Sequence, residues 1–473
     1  MNAFHKTLPA VGFEDLSKRA LAYAKGIPLA LKVLGSLFYS KSENEWDSAL
    51  RKLEKTPNRN IQQVLRLSYD ELDDEEKNIF LDIACFFKGY ARGRVTKILN
   101  ACGFFADIGI RNLLDKALIT ISGYDCIHMH DLLQEMGKKI VREESDKITG
   151  RSRLWDSKEV WDLLTNNKRA DEVEGILLDT TQVPHINLSS KAFKKMPNLR
   201  FLAFQGHHKD SKRTYNSLLL PRGLEALPNK LRYFEWDGCP LKSLPPSFCC
   251  ENLVELSLRE SNVEKLWHGV QNMPYLEKID LEGCTHLKEC PNLSGAPNLK
   301  TIGLTHCRSL LNVDESIFSL EKLEDLHVSG CISLKSLCSN TCPPSLRTLL
   351  AFGCLNLQKF SIPLPSNDRF ISRFSLNLGA SDNISLLSSL YVLCLYKCSF
   401  VSLPESIKYL PQLRRLQVFR CKMLRSIPGD CINLDEHSCH TILKDANVRV
   451  ESRAKPHSTI ALQDDNDLHL FEI

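Results

Sequence analysis

Cys431, His437, Cys439 and His440 are the residues of this chain whose types and proximity come closest to a metal-ligand set. A structural zinc site of that kind needs a second paired arm, and no Cys-x-x-Cys arm supplies it, so the spacing argues against zinc. Phosphate chemistry needs a glycine-rich turn followed by Lys and Ser or Thr, whose backbone N–H groups cradle the anion. The one Gly-Lys pair, Gly137-Lys138, is followed by Lys139 and has Leu132 where the first glycine belongs. Ser/His/Asp and Cys/His pairings can be drawn from any chain with 14 histidines, and none here lies in a phrase such as GxSxG. No catalytic and no metal-ligating residue is expected.

The 18 cysteines have another explanation. From Leu231 onward one phrase, Leu-x-x-Leu-x-Leu-x-x-Cys, returns about every 23 residues, clearest at Leu276/Ile279/Leu281/Cys284, Leu299/Ile302/Leu304/Cys307 and Leu323/Leu326/Val328/Cys331. Further copies end at Cys354, Cys398 and Cys421, and looser ones run from Leu231 to Cys239 and from Leu253 to Ser261. Each copy predicts a short strand whose alternate side chains point inward, then a turn and a returning segment. One unit cannot bury its apolar face alone, so neighbours must stack into a curved solenoid with a parallel sheet on its concave side. A small buried thiol at the turn fits that stack and predicts reduced, structural cysteines.

The formal charge of +4 on 473 residues gives no strong electrostatic steering, so neither nucleic acid nor a membrane surface is an expected partner. Residues 13 to 165 read as helices. Phe13 to Lys25 ends at Gly26, and Pro28 starts the next helix where its missing N–H costs nothing. Ser42 with Glu45 reads as a capping box, Asn60 to Leu72 and Asp74 to Phe87 as amphipathic helices, and Asp131 as the N-cap of a helix from Leu132 to Arg142 with Gln134 at N3. From Val95 the order is helix, helix, hairpin, helix, with the hairpin around Gly123, which suggests a winged helix. Its candidate recognition helix, Ile110 to Ala117, carries only Arg111 and Lys116 against Asp115, too little charge to grip phosphates.

Several phrases of this half resemble plant intracellular nucleotide-binding leucine-rich-repeat immune receptors of the TIR subclass. Gly26-Ile27-Pro28-Leu29-Ala30-Leu31 is similar to the family's GLPLAL motif, and Phe80-Leu81-Asp82-Ile83-Ala84-Cys85-Phe86-Phe87-Lys88-Gly89 to a phrase of the TIR subclass. Met129-His130-Asp131 reproduces its MHD motif, while Arg151-Ser152-Arg153-Leu154-Trp155 and Val173-Glu174-Gly175-Ile176 resemble its entry into the repeats. The resemblance implies an ADP-holding role for Pro28 and His130, with Asp131 supporting the histidine, in a receptor switched by exchange to ATP. Against the family's full pattern the chain opens near the end of the nucleotide-binding region. It therefore reads as an N-terminally truncated, non-enzymatic receptor, with no cofactor of its own and ADP or ATP in the full-length receptor. The alternative is a nucleotide-dependent switch, with TIR NADase activity, completed by an upstream segment.

The expected fold is α+β and multidomain: a helical bundle and a winged-helix unit followed by an α/β leucine-rich-repeat solenoid, a horseshoe. The expected divisions are 1–58, the helical part of the nucleotide-binding module; 59–147, the winged helix; 148–171, a linker and N-terminal cap; 172–430, the repeats; and 431–473, a truncated tail. The residue after the third leucine of each repeat projects from the concave sheet, giving the column Asp237, Arg259, Glu282, Thr305, Ser329, Phe352, Tyr396 and Phe419. This column turns from charged to aromatic, with Leu350 and Arg415 beside its aromatic end. Exposed aromatics with Arg are the composition of interface hot spots. Leu350, Phe352, Tyr396, Arg415 and Phe419 are the candidate partner-binding residues. By resemblance the partner is a pathogen effector or a guarded host protein, or a full-length receptor of the same family, met in the cytoplasm or nucleus.

Overall fold

The change from a helical to a roughly 23-residue period separates two compact units, Met1–Leu163 with Lys168–Leu177, and Leu164–Asn167 with Leu178–Ile473. The computed structural model describes residues 13–24, 41–55, 68–206, 218–248 and 251–339 without a break, with shorter pieces between and up to 361 and a few strands beyond.

In the first unit, α1 (Glu14–Ala24) buries Leu16, Ala20 and Ala24, a four-residue spacing that lines one helix face. In α2 (Glu43–Lys55) the Glu45 carboxylate accepts from the Ser42 N–H at 2.8 Å and from its hydroxyl at 2.7 Å. Trp46 stacks on Phe38 at 4.4 Å between ring centroids and donates its indole N–H to the Phe38 carbonyl at 3.0 Å, so the buried ring keeps its polar end satisfied. Arg19 and Asp47, 2.6 Å apart, tie α1 to α2.

The helix expected from Asp74 to Phe87 is two elements. α3 (Asp74–Asp82) starts from a full capping box between Asp73 and Glu76. Ile83–Phe87 then forms a π-helical turn, closed by the Lys88 N–H on the Ile83 carbonyl at 3.0 Å. Four of its five residues, Ile83, Ala84, Cys85 and Phe87, are buried, more than one face of an α-helix presents. After Gly89, at φ +90°, the chain runs beside the hairpin, with a single antiparallel bridge between Ala91 and Cys126. The Gly89 N–H donates to Ile127 O at 2.7 Å and the Ile127 N–H to Tyr90 O at 2.8 Å. Helices α4 (Arg92–Ala101) and α5 (Ala106–Asp115) precede the hairpin strands Thr120–Ile121 and Ile127–His128, which pair antiparallel with Thr120 opposite His128. The last helix, α6 (Asp131–Glu143), lies against the π turn through Gly137, where a Cβ would come within 2.8 Å of the Ala84 Cβ. That close approach is the work of Gly137, which seats two helical segments together.

In the second unit the repeats deliver the expected parallel strands. Phe201–Gln205, Tyr233–Trp236, Glu255–Ser257, Lys278–Asp280, Thr301–Gly303, Asp325–His327, Thr348–Ala351 and Ile371–Phe374 are neighbours in sequence order within one sheet. The register is one residue per repeat: Ile279 opposite Ile302, Ile302 opposite Leu326, Leu326 opposite Leu349. The inward leucines, isoleucines and valine of these copies are nearly fully buried, each contributing about 1.5–3 kcal/mol relative to exposure. The thiols form a second ladder. Cys284, Cys307, Cys331 and Cys354 donate to the carbonyls of Leu258, Leu281, Leu304 and Val328 at 2.9, 3.2, 3.1 and 3.1 Å, each bridging to the preceding repeat. Burial pushes the Cys284 and Cys354 thiols up to about 12, so they stay protonated donors.

The turn after each strand holds a left-handed residue: Gly238, Glu260, Gly283, His306, Gly330 and Gly353 have φ between +53° and +74°. Glycine follows each side chain because the side chain takes the next repeat's space. A Cβ on Gly283 would meet Glu260 Cγ at 2.7 Å, and one on Gly330 would collide with the His306 imidazole.

Candidate functional site

The MHD-like corner is built by residues 88–91 and the hairpin together. Pairing of Gly89 and Tyr90 with Ile127 fixes Lys88 beside the segment that leaves the hairpin, and that segment enters α6 at once. The N-cap of α6 is His130, not Asp131: His130 has extended φ and ψ of −62° and 142°, and its Nδ1 accepts from the Leu132 N–H at 3.0 Å. Asp131 is the first helical residue, and its carboxylate is used elsewhere. Lys88 Nζ lies 2.6 Å from Asp131 Oδ1 and donates to Gln134 Oε1 at 2.9 Å. Gln134 Nε2 in turn donates to the Ala84 carbonyl at 3.0 Å, taking up an acceptor that the π turn leaves without an intrahelical donor. The corner thus combines a capped helix N-terminus with a lysine held by two side chains of the first turn. The structure brings His130 and Asp131 together; Pro28 lies outside the described residues.

Sequence reasoning missed Lys88. Its signal was a cation directly after a thick apolar stripe, where a lone charge needs a partner. It also missed Arg153, 1% exposed, whose Nε lies 2.6 Å from the fully buried Asp82 carboxylate while its Nη2 donates to Asn78 Oδ1 at 3.0 Å. Both residues stand in phrases singled out above.

On the repeat face the expected column is only partly exposed. Arg259, Glu282 and Thr305 are half-buried, whereas Asp237 and Ser329 are buried at 5% and 2%. The projection of that column into solvent is corrected at these two positions: both side chains are buried, and the Asp237 carboxylate accepts from the Gly206 N–H at 3.3 Å. Arg259 meets Asp280 Oδ2 at 2.9 Å and Glu282 at 3.7 Å, and Lys278 lies 3.4 Å from Glu255, so the charged end is internally paired. Glu235 accepts from Tyr233 at 2.6 Å and from Gln205 at 2.8 Å. Burial lowers the His327 imidazole from its ordinary range, against the pull of Asp325. Leu350 is half-buried, opposite His327 on one side and Arg373 on the other. Tyr396 pairs in register with Phe419 between strands Val392–Tyr396 and Arg415–Phe419. The side chains of Tyr396, Arg415 and Phe419, and all of Phe352, lie outside the described residues, as do Cys431, His437, Cys439 and His440. Among the described residues no group of three His, Cys, Asp or Glu converges as a metal site, and no helix is long and apolar enough to cross a membrane.

Residues 73–145 match the winged-helix domain of Roq1-like disease resistance proteins, and residues 242–360 match the leucine-rich-repeat domain of the endo-beta-N-acetylglucosaminidase EndoS. The chain is 42% identical over 339 residues to disease resistance protein RUN1 of Vitis rotundifolia, covering 68% of this chain and 25% of that protein. It is 38% identical over 418 residues to disease resistance protein RPP2A of Arabidopsis thaliana, covering 88% of this chain and 30% of that protein. To TMV resistance protein N of Nicotiana glutinosa it is 34% identical over 444 residues, 92% of this chain and 37% of that protein. The leucine-rich-repeat domain of the type III effector XopL is a structural neighbour at 20% identity and a TM-score of 0.27, covering 49% of this chain and 84% of that one. The chain spans a quarter to about two fifths of the length of these curated relatives. With the winged helix, the repeats and the His130 corner in place, and with this identity running through most of its length, the chain belongs to the plant TIR-type nucleotide-binding leucine-rich-repeat disease resistance proteins.

Proposed function

We propose that the chain serves plant defence as a recognition and regulatory element that acts by binding rather than by catalysis. Its repeats take a pathogen effector or a guarded host protein, and the winged-helix corner carries the nucleotide-dependent state of the receptor. The observation that carries this reading is the one-residue register of the parallel strands, which sets one outward side chain per repeat into columns fit for a protein surface. Leu350, Phe352, Tyr396, Arg415 and Phe419 are the contact residues of that reading, and Pro28, His130 and Asp131 its ADP contacts within the full-length receptor. Its place of action is the cytoplasm or nucleus.

The test is capture from leaf tissue expressing a panel of pathogen effectors, using the tagged chain and a variant with Leu350, Phe352, Tyr396 and Phe419 all changed to Ser. The intact chain should retain a specific effector or host protein, and the variant, still folded by circular dichroism, should lose it at least tenfold. Equal capture by both would remove the repeat face from the account.

A further inference from the structure

Lys88 stands in none of the expected sites, yet it holds both polar side chains of the first turn of α6 on the exposed side. Its ammonium lies 2.6 Å from Asp131 Oδ1 and 2.9 Å from Gln134 Oε1, and Gln134 reaches on to the Ala84 carbonyl. His130 precedes Asp131 directly, and its cap depends on an unprotonated Nδ1, since the bond to the Leu132 N–H uses the Nδ1 lone pair. A carboxylate beside an imidazole favours the imidazolium, which has no acceptor left. Asp131 therefore threatens the cap that it follows, unless its charge is offset and its side chain is drawn away. Lys88 does both.

We propose that Lys88 is a positioning residue that, through Asp131, keeps His130 neutral with Nδ1 as the acceptor and Nε2 carrying the proton. The backbone hydrogen bonds of Gly89 and Tyr90 with Ile127 set the lysine's position, so the state of His130 is coupled to the seating of the hairpin beside residues 88–91. The inference deepens the nucleotide reading of His130 but concerns the imidazole itself, which is measurable without any nucleotide.

The experiment is an NMR titration of the full chain labelled in histidine, with the His130 signal assigned by its disappearance in a His130→Gln variant. In Lys88→Met the His130 midpoint should rise by about half to one pH unit, a roughly three- to tenfold gain in proton affinity. Lys88→Arg should restore the wild-type midpoint, and adding Asp131→Asn to Lys88→Met should cancel the rise. Asp131→Asn alone should lower the midpoint, which keeps the inference decidable should Lys88→Met fail to fold. A loosened α6 with no change of midpoint would overturn it, because a merely structural lysine predicts that result. ADP and inorganic phosphate titrated into the same samples decide the nucleotide reading separately: no binding there, with the midpoints moving as stated, would sink that reading and leave the role of Lys88 intact.

Discussion

Asp237 heads the repeat face with 5% of its surface exposed, and burial, followed by the nearby Glu235 carboxylate, pushes its acid from 3.8 up to about 7. The folded chain therefore holds this proton over a pH window in which the unfolded chain has released it. Stability contributed by the neutral acid is present below about pH 4, is lost progressively as pH rises from there, and is fully lost above about pH 7. Asp237→Asn removes the penalty while its amide carbonyl can still accept the Gly206 N–H bond that Asp237 Oδ2 now takes at 3.3 Å. The variant should be more stable than the parent at pH 8, by at most about 4 kcal/mol for a shift of about three units, with the gap narrowing towards pH 5. Urea unfolding at pH 5, 6.5 and 8 measures it, and a gap independent of pH would show that the acid is not titrating in this range. The caps of α6 teach a related lesson. Asp is the commoner N-cap, yet His130 holds that position because Lys88 has already engaged the Asp131 carboxylate. Residue preference named the right helix start within one position; a partner 43 residues away chose between neighbours.

Among elements, the junction of α3, the π turn and the short strand Arg153–Leu154 depends on one buried ion pair. Arg153 spends Nε on Asp82, Nη1 on Ser152 and Nη2 on Asn78, so the guanidinium is satisfied on every nitrogen. Removing one member of such a pair strands the other in a dry interior, which costs about 3–5 kcal/mol, whereas replacing both with apolar groups costs far less. Arg153→Met should destabilise the first unit by that amount, and Arg153→Met with Asp82→Leu should recover most of it. Thermal unfolding of the three proteins gives the comparison, and additive losses would mean the two side chains do not act as a pair. The amphipathic pattern of Asp74 to Phe87 marked this region as helical from sequence. The π turn within it was not legible, because the close seating of Gly137 of α6 on Ala84 and Phe80 joins segments more than 50 residues apart.

At the scale of the molecule, the second unit is a stack in which each repeat bonds to its neighbours: the sheet register, the thiol ladder, the left-handed turns and the outer ion pairs all run between adjacent copies. Lys242, Glu264 and Lys288 illustrate the last, at 2.9 and 2.6 Å, with the two lysines holding the Glu264 carboxyl down near 2. These pairs are solvent-exposed and stabilise little; the leucine ladder carries the stack. Leu304, 1% exposed in a central repeat, is a direct probe. Leu304→Ala should cost about 2–5 kcal/mol and divide the unfolding of the repeats into two transitions, since stability in a one-dimensional stack is carried by nearest-neighbour interfaces. Hydrogen exchange across strands Lys278–Asp280 and Asp325–His327 would locate the break, and a single undivided transition would refute that view of the stack.

The sequence alone determined the repeat, its inward leucines and thiols, the helical first half and the hairpin at Gly123, because each is a local pattern whose period dictates which side chains share a face. Only the tertiary structure decided that Lys88 clamps Asp131, that Arg153 pairs with Asp82, that Asp237 is buried, and that the left-handed turns carry side chains only where the next repeat has glycine. The two ion pairs join residues 43 and 71 positions apart, where no period links the partners and only packing determines who meets whom.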